Sequence, residues 1–349
     1  MTRPLVLVTG AGGFLGGWVA EALHLSRWAQ VRAGITRWSS AARIARFPMD
    51  IVTCNVLDAA SLDAALKDVE YVIHCARSPD NSVAVTGTRL LLERAKAAGV
   101  KKVIFTSSVA VYGEAAGVVE EDTAPVGPVS DYGLGKSEAE RICREYSDDR
   151  FAVGVIRPTL VYGPFSEQWS VPYIARFASG RWTALGPRGE GKCNLVYVGD
   201  VVRMAQFLIE TDFGALTAMN ANGPEIPTWN SYIERFNAAL GFAPLPEPDK
   251  RLGLKVALRR PIRKLGKYAL AHHRGLLVMA AARSTALRSL MKNIELDLRL
   301  RPNDDEMQRF STDVVYSGDR ALAAGFKPRT GVDEGIALTS DWARRIGLV

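Results

Sequence analysis

"VTGAGGFLGG", residues 8–17, decides how the rest of the chain is read. Half of the stretch is glycine, and it follows an apolar, β-branched run, "PLVLV" (Pro4 to Val8). A helical pattern, Leu15 to Leu25, comes straight after it. The junction of strand and helix is therefore built from backbone rather than side chains. Gly10, Gly13 and Gly16 form G-x-x-G-x-x-G. The first permits a tight turn, the second lets the backbone approach a pyrophosphate, and the third lets the helix pack on the strand. The helix N-terminus adds free N–H groups and a partial positive charge. These requirements describe a dinucleotide loop, and they assign Gly10, Gly13, Phe14, Leu15 and Gly16 to a cofactor.

The pattern beyond the loop supports that context. "QVRAGI" (Gln30 to Ile35), "DIVTCN" (Asp50 to Asn55), "VEYVIHCA" (Val69 to Ala76), "VKKVIFTSS" (Val100 to Ser108) and "FAVGVIRP" (Phe151 to Pro158) read as strands, with a helix over Gly87 to Ala98. Later come "NLVYV" (Asn194 to Val198) and "LTAMNAN" (Leu216 to Asn222). Strands that are apolar throughout and alternate with helices predict a parallel sheet covered on both faces. The fold class is α/β, a doubly wound parallel sheet (Rossmann) with a smaller C-terminal substrate lobe. The dinucleotide domain is placed at 1–164, with 193–222 returning to its sheet. The lobe takes 165–192 and 223–349.

The 349 residues, 48% hydrophobic and 23% charged, suit a globular chain with a sizeable core. No apolar run approaches the roughly 20 residues of a membrane span. Met1-Thr2-Arg3-Pro4 leads directly into a strand and does not read as a signal peptide. Cys54, Cys75, Cys143 and Cys193 are scattered. That fits a reducing cytoplasm and argues against a disulfide framework or a zinc site, and no metal is expected. Net charge is +7, but residues 250–301 hold 14 Lys and Arg against Glu295 and Asp297, so the remainder is net acidic. Nucleic-acid binding over the whole surface is not implied. Residues 255–292 leave three readings: a solvated basic face, a phosphate-binding rim, or contact with an anionic membrane surface.

The second strand addresses which dinucleotide is bound. A carboxylate at its end would hold the ribose 2′-OH of NAD. The sequence there is "GITRWSS", with Arg37, Ser39 and Ser40 and no carboxylate. An arginine and hydroxyls suit a 2′-phosphate, so NADP is expected, with NAD as the alternative.

Two stretches carry reactive groups. "FTSSVAVYG" (Phe105 to Gly113) ends a strand and holds Ser107 and Ser108; "SDYGLGKSEAE" (Ser130 to Glu140) opens a helix and holds Tyr132 and Lys136. Tyr and Lys at i and i+4 share a helix face. A nearby ammonium is expected to lower the phenol's pKa, so that it exchanges a proton with an alcohol as hydride moves. A serine at a neighbouring strand end can hydrogen-bond the same oxygen.

With these residues in view, the chain resembles the extended short-chain dehydrogenases/reductases, the NAD-dependent epimerase/dehydratase family. "TGAGGFLG", "HCA" (His74 to Ala76), "VTGTRLLLERAKAAGVKKVIFTSS" (Val85 to Ser108), "YGLGK" (Tyr132 to Lys136), "RPTLVYGP" (Arg157 to Pro164), "NLVYVGDV" (Asn194 to Val201) and "GFKPRTGVDEGI" (Gly325 to Ile336) follow in family order. The resemblance implies that Ser108, Tyr132 and Lys136 are catalytic, with Tyr132 and Lys136 also meeting the cofactor. It places Asn55 and Val56 beside adenine, Ala76 at the cofactor ribose and Pro158 near nicotinamide. It also implies a homodimer. "GITRWSS" is similar to the G-I-x-R-R-S-S stretch of NADP-binding GDP-mannose 4,6-dehydratases.

The departures narrow the activity. Val109 and Ala110 stand where dehydratases of the family carry acidic residues, which excludes sugar dehydration. Arg77 stands where a small residue is common, and Asn194 where an arginine would meet a nucleotide diphosphate. Arg77, Ser108 and Asn194 are the expected substrate contacts. The expected activity is hydride transfer at a secondary alcohol or ketone of a nucleotide-activated sugar, by 4-keto reduction or 4-epimerisation. The alternatives are a 3β-hydroxysteroid-dehydrogenase-like enzyme on a hydrophobic alcohol, and a cofactor-binding protein without catalysis.

Overall fold

The structure, a computed structural model, describes residues 3–127, 129–180, 182–247, 300, 302 and 304–349. The readings made for 255–292 lie outside the described residues.

The chain opens with β1 (Leu5–Thr9), α1 (Phe14–Leu25), β2 (Gln30–Ile35), β3 (Asp50–Thr53), α2 (Ala59–Leu66) and β4 (Tyr71–His74). It continues through α3 (Thr88–Ala97), β5 (Lys102–Thr106), β6 (Gly117–Val119), α4 (Asp131–Tyr146), β7 (Ala152–Pro158), β8 (Leu160–Tyr162) and α5 (Val171–Ala178). There follow β9 (Leu195–Tyr197), α6 (Val198–Glu210), β10 (Leu216–Ala221) and α7 (Trp229–Ala239). The last elements are α8 (Asp304–Phe310), β11 (Val314–Tyr316), α9 (Asp319–Ala323) and α10 (Val332–Arg345).

Seven strands form one parallel sheet in the order β10-β7-β5-β4-β1-β2-β3. Alternate residues feed opposite apolar layers, which is why these strands are apolar throughout. Val6, Val8, Ile73 and Ile104 pack with Val19 and Leu23 of α1 and with Val201, Met204 and Leu208 of α6. Leu7, Val72, Val103 and Phe105 pack with Leu62 of α2, Leu91 and Leu92 of α3, and Ile142 of α4. The strand order reverses between β1 and β4. In such sheets, ligands bind beyond the carboxyl ends at this switch point.

Two compact units emerge. The first holds Met1–Ser166, Asn194–Ile226 and Asp313–Gly335; the second holds Glu167–Cys193, Pro227–Thr312 and Ile336–Val349. The second unit is knit by aromatic rings, among them Trp229 with its centroid 4.8 Å from that of Phe310, and by Arg176 paired to Glu306 at 2.8 Å.

Two sequence assignments need correction. Leu195–Tyr197 does not return to the main sheet. It pairs in parallel with Leu160–Tyr162 in a separate two-stranded sheet, while β10 takes the main-sheet edge beside β7. Residues 313–335 fall in the first unit rather than in the lobe assigned to 223–349. The reason is hydrogen bonding: β11 pairs with β6, and Ser317 N donates to Val119 O at 2.9 Å.

Candidate active site

The glycine loop forms the cradle its sequence requires. Gly10 has φ +68°, a left-handed conformation, and a Cβ there would lie 2.7 Å from the backbone of Ala76. A Cβ on Gly16 would lie 2.3 Å from Gly10 O. The turn closes through Gly13 N donating to Gly10 O at 2.9 Å. Gly13 caps α1 without a side-chain acceptor, so the N–H groups of its first turn, Phe14, Leu15 and Gly16, are not met by a capping side chain. Uncapped N–H groups above a side-chain-free turn fit a dinucleotide pyrophosphate. Gly12, which the motif reading left unassigned, also has a task. A Cβ there would lie 2.6 Å from Ser40 Oγ, so its absence lets the turn after β2 close on the loop.

That turn presents Thr36, Arg37, Trp38 and Ser39 to solvent. Ser40 Oγ donates to Arg37 O at 2.6 Å, which commits that hydroxyl to the backbone. Neither hydrogen bonds nor ion pairs hold the Arg37 guanidinium among the described residues. Glu21, a carboxylate near this region, is engaged by Arg43 at 2.9 Å and Arg46 at 2.7 Å.

Adenine-side assignments divide by atom. Asn55 is exposed, and its Oδ1 accepts from Leu57 N at 3.1 Å. The Val56 side chain is buried against Gly87, where a Cβ would meet Val56 Cγ2 at 2.8 Å. Only the backbone of Val56 is left to face a base. Pro158 is buried at the end of β7, and the Thr106–Ile156 pairing sets it level with Ser108.

The reactive groups meet where β5 ends and α4 begins. Ser108 accepts from Ala110 N at 3.2 Å, which fixes its hydroxyl at the strand end. Ser130 caps α4 by accepting from Gly133 N at 3.1 Å, the expected device for starting a helix. Tyr132 is 41% exposed, yet burial is the largest influence on its phenol and raises its pKa. A hydrogen bond with Ser108 and the charge of Arg77 oppose that rise. The expected lowering by Lys136 is corrected here. The Lys136 ammonium lies 6.0 Å from the Tyr132 ring centroid and donates to Thr106 O at 2.7 Å. Burial pushes Lys136 itself down to about 8.

A buried polar network that the motifs did not reveal ties the three elements together. Glu140, one turn beyond Lys136, accepts from Ser107 Oγ and from Arg157 Nη2, the latter at 2.6 Å. Arg157 Nη1 donates to Tyr112 Oη and Glu121 O, each at 2.7 Å. The ends of β5 and β7 and the middle of α4 are thus joined by one guanidinium and one carboxylate. His74, buried at the end of β4, lies 2.7 Å from Thr9 Oγ1 and 3.2 Å from Thr88 Oγ1, linking β1 to α3. Both histidine nitrogens are used, and burial lowers its pKa to about 3.

Asn194 is corrected as a substrate contact. It is 3% exposed, donates to Val314 O at 2.8 Å, and its Oδ1 accepts from Tyr316 N and Asn222 Nδ2 at 3.1 Å each. Its amide holds β11. Arg77, in contrast, is exposed, and no hydrogen bond or ion pair engages it among the described residues.

Residues 6–220 match the model of the NAD dependent epimerase/dehydratase family, and the chain belongs to that family. It is 32% identical over 210 residues to the sterol demethylase protein B of Methylococcus capsulatus, covering 56% of this chain and 63% of that one. It is 30% identical over 168 residues to the N-acetyl-alpha-D-glucosaminyl-diphospho-ditrans,octacis-undecaprenol 4-epimerase of Escherichia coli O157:H7, covering 45% of this chain and 50% of the relative. The chain thus spans one half to under two thirds of these relatives' length. The fold matches UDP-glucose 4-epimerase of Thermotoga maritima, solved with UDP-glucose, at a TM-score of 0.70 and 22% identity over 98% of this chain and 99% of that one. Among the described residues, no helix is long and apolar enough to cross a membrane.

Proposed function

We propose that this protein is an NADP(H)-dependent oxidoreductase that moves hydride at a secondary alcohol or ketone, with NAD(H) as the alternative cofactor. The observation that carries the reading is the convergence of Ser108, Tyr132 and Lys136 at one strand end, beside a glycine loop a Cβ would fill. The bound nicotinamide supplies the hydride site. The chain supplies the proton and the orientation. The Tyr132 phenol can donate its proton to a developing alkoxide. Ser108 hydrogen-bonds the same oxygen. Lys136 keeps a positive charge behind the pair, held by Thr106 O.

The substrate we infer is a nucleotide-activated sugar, reduced at a 4-keto group or epimerised. Two of the proteins described above are named as 4-epimerases, and the one from Thermotoga maritima is named for UDP-glucose, which supports it. Val109 and Ala110 carry no group that transfers a proton, which argues against dehydration in this reading. A second reading, a hydrophobic alcohol or ketone, draws support from Asn194: its amide is committed to β11 and leaves no side chain there for a diphosphate. The similarity to a sterol demethylase protein points the same way.

Parallel calorimetric titration with NADPH and NADH tests the cofactor. NADPH should bind at least about tenfold tighter, equivalent to about 1.4 kcal/mol, and Arg37→Ala should remove the difference. Tighter NADH binding by the unaltered protein overturns the NADP assignment. Thermal-shift screening separates the substrate readings. Stabilisation by UDP or GDP compounds supports the sugar, and stabilisation by sterol ketones alone rejects it.

A further inference from the structure

The segment after β4 is built to hold one cation beside the reactive groups. Parallel pairing sets His74 opposite Phe105, and Thr106 Oγ1 donates to His74 O at 2.8 Å. Arg77 and Ser108 each lie three residues beyond that pair, in the segments that follow two adjacent strands. Neighbouring strands are about 4.8 Å apart. Arg77 to Ser82 is then fixed from both sides. Ala76 lies against Gly10, and Asn81 Nδ2 donates to Asp131 O at 2.6 Å, at the start of the helix that carries Tyr132. Gly135 has no Cβ because one would lie 2.4 Å from Asn81 Cγ.

Every other polar side chain of this segment is engaged locally. Ser82 Oγ donates to Asp80 Oδ1 at 2.8 Å, and Ser78 Oγ accepts from Val83 N at 3.2 Å. Asp80 is therefore occupied by hydroxyl and backbone partners and does not neutralise Arg77. The charge of Arg77 is felt by both Tyr132 and Lys136. The charge of Arg77 thus acts on the phenol, and no carboxylate is paired to Arg77 among the described residues.

We propose that Arg77 is a specificity-determining residue that binds a carboxylate which the substrate carries near the reacting alcohol or ketone. The substrate class is then a hydroxy or oxo acid, in which an arginine fork grips two carboxylate oxygens while Ser108 and Tyr132 hold the reacting oxygen. This deepens the proposed hydride-transfer reading and rests on it. It holds for an acidic sugar as for an acidic hydrophobic alcohol.

The test uses benzoylacetate, its methyl ester and the matching β-keto phosphonate. Each is titrated into the dead-end complex of the full chain with NADP+, where no hydride is available. The acid should bind at least about tenfold tighter than the ester, the discrimination one charge-assisted hydrogen bond supplies. Arg77→Met should bring the ratio to near one, leaving affinity for the ester and for NADP+ within about twofold. Three results overturn the assignment: equal binding of acid and ester, a ratio unmoved by Arg77→Met, or a loss of NADP+ affinity in that variant, which would move Arg77 to the cofactor. Preference for the phosphonate overturns the carboxylate form and points to a phosphorylated substrate. Turnover with NADPH is followed separately. Acid-selective binding without hydride transfer sinks the oxidoreductase reading while leaving Arg77 an anion site.

Discussion

At the scale of single residues, the decisive group is Lys136. An ammonium at 4% exposure is costly in a protein interior, and burial lowers its pKa to about 8 from the ordinary 10.5. The sign follows from its being a base: it is charged below about 8 and neutral above. If the ammonium stabilises the phenolate left when Tyr132 donates its proton, reductive kcat/KM falls as pH rises through about 8. Lys136→Arg keeps the charge at all accessible pH and should flatten that limb. Tyr132→Phe should lower turnover about 10²- to 10⁴-fold at unchanged NADPH affinity. A profile flat from pH 7 to 9 in the unaltered enzyme removes Lys136 from the proton chemistry. His74 runs a parallel case for stability. Its pKa is depressed to about 3, so between 6.5 and 3 the unfolded chain binds a proton that the native state refuses. Stability should therefore fall as pH falls across that window, by a few kcal/mol at most.

At the scale of elements, α4 shows how much a motif conceals. "YGLGK" yields Tyr132 and Lys136 because their spacing is local and periodic. The glycines between them are not explained by periodicity. A Cβ on Gly133 would lie 2.4 Å from Ala110 O, in the turn that follows Ser108, and 2.6 Å from Val129 Cγ1. Glycine there brings the tyrosine helix close to the serine turn. The contact joins residues 23 positions apart, and no local pattern encodes it. The same holds for Glu140 and Arg157, whose ion pair closes only when α4 and β7 flank β5. Two effects compete at Gly133. Helix propensity alone would make Gly133→Ala stabilising by about 1 kcal/mol. The clash is with backbone, which yields less readily than a side chain, so overpacking of about 1–3 kcal/mol should win. Gly133→Ala should lower both the melting temperature and kcat, the latter more than about tenfold, because α4 must move from Ser108. A raised melting temperature with full activity would show that the two elements are not held at contact.

At the scale of the molecule, the parallel sheet was legible because both of its faces are buried. Its strands are continuous apolar runs, and the glycine loop marks the first crossover. The return of 313–335 was not legible. β11 is three residues long, and asparagine side chains supply what a strand partner would. Asn194 meets Val314 and Tyr316, Asn222 Nδ2 donates to Tyr316 O at 3.0 Å, and Asn220 Nδ2 donates to Ser317 O at 3.0 Å. Three amides on two segments thus satisfy the backbone of a third. A family comparison that expects a substrate-facing arginine at 194 assigns that position to binding. The side-chain geometry assigns it to folding. The two assignments predict opposite measurements. If Asn194 holds β11, Asn194→Ala leaves Val314 O and Tyr316 N without that partner in a buried setting, at about 1–3 kcal/mol per group. The melting temperature should drop by several degrees, while KM per folded molecule stays within about twofold. If Asn194 instead touches substrate, KM should rise at least tenfold with the melting temperature unchanged. Asn222→Ala serves as the control, because it removes a donor to the same strand from a position with no expected substrate role. Matching stability losses in the two variants, with KM preserved in both, would make 313–335 a structural clasp of the dinucleotide unit.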